Sequence, residues 1–194
     1  MKKVGLYFGS FNPIHVGHLI IADYFASSAL VDEVVLVVSP HNPLKSKSEL
    51  APFEDRWVMT QMALKNHSSL SCSDVEASLS QPSFTIDTLD FLKEKNPENS
   101  YRVIMGQDSL ESLHLWKNYR RIIEEFGIIV FPRKTLSDKW SEEFIHPHIV
   151  FEKDAPRLDI SSTSIRSDIR AHRSIRYRVV PEVEEYIQST GLYK

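Results

Sequence analysis

The segment VGLYFGSFNPIHVGH, residues 4–18, changes character twice. Residues 4–8 form a short apolar run of the kind that makes a buried strand. Gly9, Ser10, Asn12 and Pro13 then break it, and residues 19–29 show a helical pattern. The stretch reads as strand, turn and helix start, with His15 and His18 where the helix begins. At i and i+3 the two imidazoles project on one side of the first turn. Gly9 is expected to let a backbone or a phosphate approach closely, and Gly17 to leave room for a bulky ligand. The helix start adds unpaired N–H groups and a positive dipole end, which together suit an anion. A zinc site would need a third ligand, and neither His41 nor another histidine stands at a compelling spacing.

Working outward, apolar strands alternate with amphipathic stretches. EVVLVVSP (33–40) is a continuous β-branched run, as in a strand buried on both faces. A polar loop, HNPLKSKSELAP, leads to a helix over 53–65; LSCSDV is a short strand. PSFTIDTLDFLKEK is a turn and a helix with Ile86, Leu89 and Leu92 on one face. YRVIMG, GIIVFPR and HIVFE are strands, and residues 108–126 make two short helices or one broken one. ISSTSIRSDIRAH opens like an N-cap, and PEVEEYIQST has proline in its first turn and ends at Gly191. The alternation predicts an α/β fold: a doubly wound, mostly parallel sheet with a C-terminal helical segment. Ligands of such sheets sit at the carboxyl ends of the strands near the switch point.

The 194 residues suit a single domain, 1–194. No apolar run approaches the ~20 residues of a membrane span, and the N-terminus lacks a signal-peptide pattern, so a cytoplasmic protein without a membrane partner is expected. One cysteine, Cys72, excludes an internal disulfide and a Cys-rich metal site. A net charge of −3 argues against a nucleic-acid partner. Six arginines, from Arg157 to Arg178, face only Asp159 and Asp168 in that segment. This suits a small polyanion, and equally a solvated helix face.

Together with ISSTSIR (160–166), the HVGH motif resembles the nucleotidyltransferases of His-x-Gly-His signature. Ser161, Ser162 and Thr163 offer hydroxyls and helix-start N–H groups, and Arg166 can fork onto phosphate oxygens. PSFTIDTL (82–89), GQDSLESLHLWKNY (106–119), PHNPLK (40–45) and the C-terminal RYRVVPEVEEYIQSTGLY are similar to those of bacterial nicotinate mononucleotide adenylyltransferases. Asn12 stands where that family commonly has aspartate, and a turn-stabilising role is expected of it. The loop HNPLK also departs from the family pattern around His41 and Lys45.

The resemblance implies a Rossmann-like nucleotidyltransferase fold and adenylyl transfer from ATP to nicotinate mononucleotide in NAD synthesis. It implies ATP contacts from Gly9, Ser10, Phe11, His15, His18, Gly106, Asp108, Arg133, Ile160, Ser161, Ser162 and Arg166. His15, His18, Lys45 and Arg166 would carry the catalysis. Phe84, Thr85, Asp108, Trp116 and Lys45 would take the mononucleotide. Trp116 could supply an aromatic face to a pyridinium, and the turn at Phe84 and Thr85 N–H donors to a carboxylate. Without the resemblance, helical apolar spacing favours core packing for Trp116, while Asp108 is equally readable as a helix N-cap. Magnesium is expected through the ATP phosphates and water, without a dedicated protein cage. A phosphopantetheine adenylyltransferase and a non-catalytic nucleotide sensor remain as alternatives. A homo-oligomer is left open.

Overall fold

The computed structural model describes residues 1–41, 50–65, 67–133 and 144–194. Its centre is a six-stranded sheet in the order β3-β2-β1-β4-β5-β6. The strands are β1 (Lys3–Gly9), β2 (Glu33–Val38), β3 (Leu70–Ser73), β4 (Ser100–Gly106), β5 (Ile128–Phe131) and β6 (Ile149–Phe151). Every neighbouring pair is parallel. β1 pairs with both β2 and β4, with Leu6 opposite Val35 on one side and Val103 on the other. The order therefore reverses between β1 and β4, the doubly wound arrangement with its crevice at that point.

Strand alternation divides the core into two layers. Tyr7, Val34, Leu36, Val38, Ile104, Ile129 and Phe131 face one layer. It is covered by α1 (Val16–Ala26), α2 (Phe53–Leu64), α7 (Ser162–Arg170) and α8 (Pro181–Thr190). Val4, Leu6, Val37, Val103, Met105, Ile128 and Val130 face the other. That layer packs against α4 (Thr85–Lys95), α5 (Gln107–Glu111) and the chain through Phe126. Among the described residues, no helix is long and apolar enough to cross a membrane.

Three details depart from the sequence expectations. α1 starts at Val16 and stops at Ala26, not 19–29, because His15 and His18 themselves form its cap. A one-turn helix, α3 (Val75–Ser78), follows β3. Residues 107–126 break into α5, a 3-10 turn (Leu113–Leu115), α6 (Tyr119–Arg121) and a π turn (Ile122–Phe126). Asn118, with φ of 51°, interrupts regular helix there, in a conformation that asparagine tolerates better than most residues. At the other end of the chain, Pro181 opens α8 and Gly191, at φ 72°, closes it with its N–H on Ile187 O at 3.0 Å.

Candidate active site

A cleft of about 1040 Å³ lies over the carboxyl ends of β1, β4 and β5. Its floor is the turn between β1 and α1. Phe11 is buried at φ 44°, with its ring beneath Gly9. A Cβ on Gly9 would lie 2.8 Å from that ring, so this glycine makes room for Phe11. Gly17 does not line the cleft; its missing side chain makes room for the His15 ring, 3.0 Å from where a Cβ would stand, where the sequence suggested room for a ligand.

The two histidines are stacked, with ring centroids 3.6 Å apart and planes 17° from parallel. Each ring caps the other's backbone. His18 N–H donates to His15 Nδ1 and His15 N–H donates to His18 Nδ1, both at 3.3 Å. An Nδ1 that accepts carries no proton, so both rings hold theirs on Nε2. Burial, and then the positive charge of Arg133, push the His15 pKa down to about 4. His15 is thus neutral near pH 7. It lies behind His18, buried, while His18 lines the cleft.

The ISSTSIR segment closes one wall. Ser161 Oγ caps α7 by accepting from Ser164 N–H at 3.1 Å. Ser162 Oγ donates to Pro13 O at 2.9 Å, and Arg166 Nη1 to Asn12 O at 3.0 Å. Both bonds bind α7 to the β1–α1 turn. Ser162, Thr163 and Arg166 line the cleft, whereas Ser161 and Ile160 do not. Gly9, Ser10, Phe11, Gly106, Asp108 and Arg133 line it as well. Lys45 lies outside the described residues. Arg133 Nε stands 3.4 Å from Asp108 Oδ1, and a side chain on Gly106 would collide with that carboxylate. Gly106, not Asp108, is the N-cap of α5.

The opposite wall carries Phe84, Thr85, Trp116 and Lys117. Phe84 caps α4 with an extended backbone, so the N–H of Thr85, first residue of the helix, has no intrahelical partner. Trp116 is half-buried: it packs on the second core layer and also lines the cleft. Beneath this wall Glu76 is buried, with Oε1 accepting from Thr88 Oγ1 at 3.3 Å and its carbonyl from Gln81 Nε2 at 2.7 Å. Burial pushes its carboxyl pKa up, and the hydroxyls of Ser39, Thr88 and Ser83 act in the opposite direction.

Sequence reasoning missed Arg56. It is 1% exposed and donates to four carbonyls: Ser10 at 2.8 Å, Ser39 at 2.7 Å, Pro40 at 2.8 Å and Ala51 at 3.0 Å. It ties the ends of β1 and β2 to the start of α2. An arginine inside an amphipathic helix carries no local signal of such a role. Tyr193 was missed too. Its hydroxyl donates to Asn12 Oδ1 at 2.9 Å, which also accepts from Ala51 N–H at 3.1 Å. Asn12 therefore serves as a junction of the turn, C-terminus and loop.

Residues 6–168 match the family model described as cytidylyltransferase-like. A Flavobacterium johnsoniae protein named "Probable nicotinate-nucleotide adenylyltransferase" is 45% identical over 194 residues, covering 99% of each chain. A Cytophaga hutchinsonii protein of the same name is 43% identical over 191 residues, covering 98% of each. The structure of Plasmodium falciparum nicotinic acid mononucleotide adenylyltransferase complexed with NaAD superposes with a TM-score of 0.83. It covers 100% of this chain and 98% of that one at 23% identity, a likeness of fold.

Proposed function

The chain belongs to the nicotinate-nucleotide adenylyltransferases of the cytidylyltransferase-like family, and from that premise we propose that it transfers the adenylyl group of ATP to nicotinate mononucleotide. The products are nicotinate adenine dinucleotide and pyrophosphate. One observation carries the reading: His18 and Arg166 open into the same cleft as Trp116 and the turn at Phe84 and Thr85. A phosphate-binding wall thus faces an aromatic, donor-rich wall across one cavity.

The reaction is a single in-line displacement. A phosphate oxygen of the mononucleotide attacks the α-phosphorus, and pyrophosphate leaves. Nucleophile and leaving group are both anionic already, so positioning and electrostatic stabilisation suffice. His18, with its proton on Nε2, donates a hydrogen bond to the transferring phosphoryl group. His15 acts behind it as a positioning residue, because its ring holds the His18 backbone and lies out of the cleft. Arg133, Arg166 and Lys45 supply positive charge. Trp116 takes the pyridinium face, and the Thr85 N–H takes the carboxylate.

Magnesium is the divalent ion we assign. Among the described residues, no group of three or more His, Cys, Asp or Glu side chains is placed to hold a metal. Asp108, exposed on the cleft wall, offers the hard oxygen that suits a magnesium bound mostly by phosphates and water. When bound, the ion neutralises charge on the triphosphate. The test is direct: incubate the protein with ATP, magnesium and, separately, nicotinate mononucleotide, nicotinamide mononucleotide and phosphopantetheine, and measure pyrophosphate. Release with nicotinate mononucleotide above the others is expected. Release only with phosphopantetheine, or with none of them, refutes the assignment.

A further inference from the structure

Lys117 follows Trp116 on the cleft wall. Its ammonium lies 4.9 Å from the centroid of the Phe84 ring and 2.8 Å from each Asp87 carboxylate oxygen. Phe84 caps α4 and Asp87 stands in its first turn. Two contacts from a single helix start therefore hold one cation, and Lys117 and Thr85 line the same cleft. The pair is half-solvated, at 44% and 43% side-chain exposure, so solvent screens it and it holds the ammonium only loosely. An ammonium has three donors. Its place on the cleft wall leaves it able to serve a further acceptor there.

We propose that Lys117 is a specificity-determining residue that selects a substrate ring bearing a carboxylate over one bearing a neutral amide. The proposal rests on the adenylyl-transfer reading and names the side chain that deepens it. The Thr85 N–H is a neutral donor and can bond to an amide oxygen almost as well as to a carboxylate. A fixed positive charge discriminates the two, because attraction to a full negative charge exceeds attraction to an amide dipole. Asp87 tempers that charge and aims it. Exposure and salt screening limit the effect to about five- to tenfold.

The experiment compares kcat/KM for nicotinate and nicotinamide mononucleotides in the wild-type protein, Lys117→Met, Lys117→Gln and Asp87→Asn. Methionine keeps a flexible stem against Phe84 and removes the charge. In both lysine variants the nicotinate-to-nicotinamide ratio should fall about five- to tenfold, mainly through KM for the nicotinate form, with KM for ATP within about twofold of wild type. Asp87→Asn, which strips away the neutralising partner, should raise the ratio. An unchanged ratio in both lysine variants, or equal losses for the two mononucleotides, overturns the assignment and makes Lys117 a structural ion pair. A wild-type protein that releases pyrophosphate with neither mononucleotide refutes the adenylyl-transfer reading itself, and this proposal with it.

Discussion

Acid should destabilise this protein partly through one ring, His15. In the folded chain its pKa is lowered from 6.5 to about 4, first by burial and then by Arg133. The unfolded chain therefore takes up the proton near pH 6.5 and the folded chain only near pH 4. This stability is fully present above pH 6.5 and is lost as pH falls through the window down to about 4. At ~1.4 kcal/mol per pH unit, the depression is worth about 3 kcal/mol. The ring is 4% exposed, so solvent screening removes little of it. Other groups respond to acid as well, Glu76 among them with its carboxyl pKa raised by burial, and a variant is needed to subtract them. His15→Asn suits, because asparagine is a strong N-cap and keeps an acceptor for the His18 N–H. Urea unfolding of both proteins should be followed from pH 7 to pH 4. The wild type should lose about 3 kcal/mol more than His15→Asn over that range. Parallel stability curves would refute the buried, neutral state of His15, and with it the tautomer assigned to the stacked pair.

Three further outcomes are expected. His18→Ala should lower turnover by ~10²–10³ with a small change in melting temperature; near-normal turnover in the folded variant would remove His18 from the chemistry. Arg56→Met should cost at least ~3 kcal/mol in urea unfolding, because it strips four carbonyls of their donor; a loss below ~1 kcal/mol would show that water replaces the guanidinium. Thr85→Pro removes one N–H at a helix position that tolerates proline, after a Phe84 already extended. Its melting temperature should hold while the preference for nicotinate over nicotinamide mononucleotide falls; an intact preference would move the carboxylate elsewhere.

Much of this molecule is written locally. The β-branched run of β2, the switch from apolar strand to Gly-Ser turn after β1, and the serines that open α7 are short-range patterns. Each depends on residues a few positions apart, so each is legible one stretch at a time. The parallel sheet follows from the alternation of strand and helix, since parallel strands need crossovers that cover the faces, whereas the strand order around the β1–β4 crevice is a property of the tertiary structure. The two histidines and the helix start with Arg166 were visible as motifs for the same reason, whereas the aromatic wall was visible only through the resemblance of its segments to a known family.

What remained hidden was the pairing of groups far apart in the chain. Arg56 reaches Ser10 across 46 positions, Ser162 reaches Pro13 across 149, and Tyr193 reaches Asn12 across 181. No local spacing records such a bond, because its energy exists only once burial has removed water from both partners. The glycines show the same division. Sequence marks Gly9 and Gly17 as places that exclude a side chain, but the rings of Phe11 and His15 that need the space come into view only in three dimensions. Sequence by itself determined the parallel sheet, the caps of α7 and α8 and many of the groups that line the cleft at its carboxyl edge. Tertiary packing decided which imidazole faces the cleft and which lies buried and neutral behind it, because desolvation acts on a ring only where the fold closes over it.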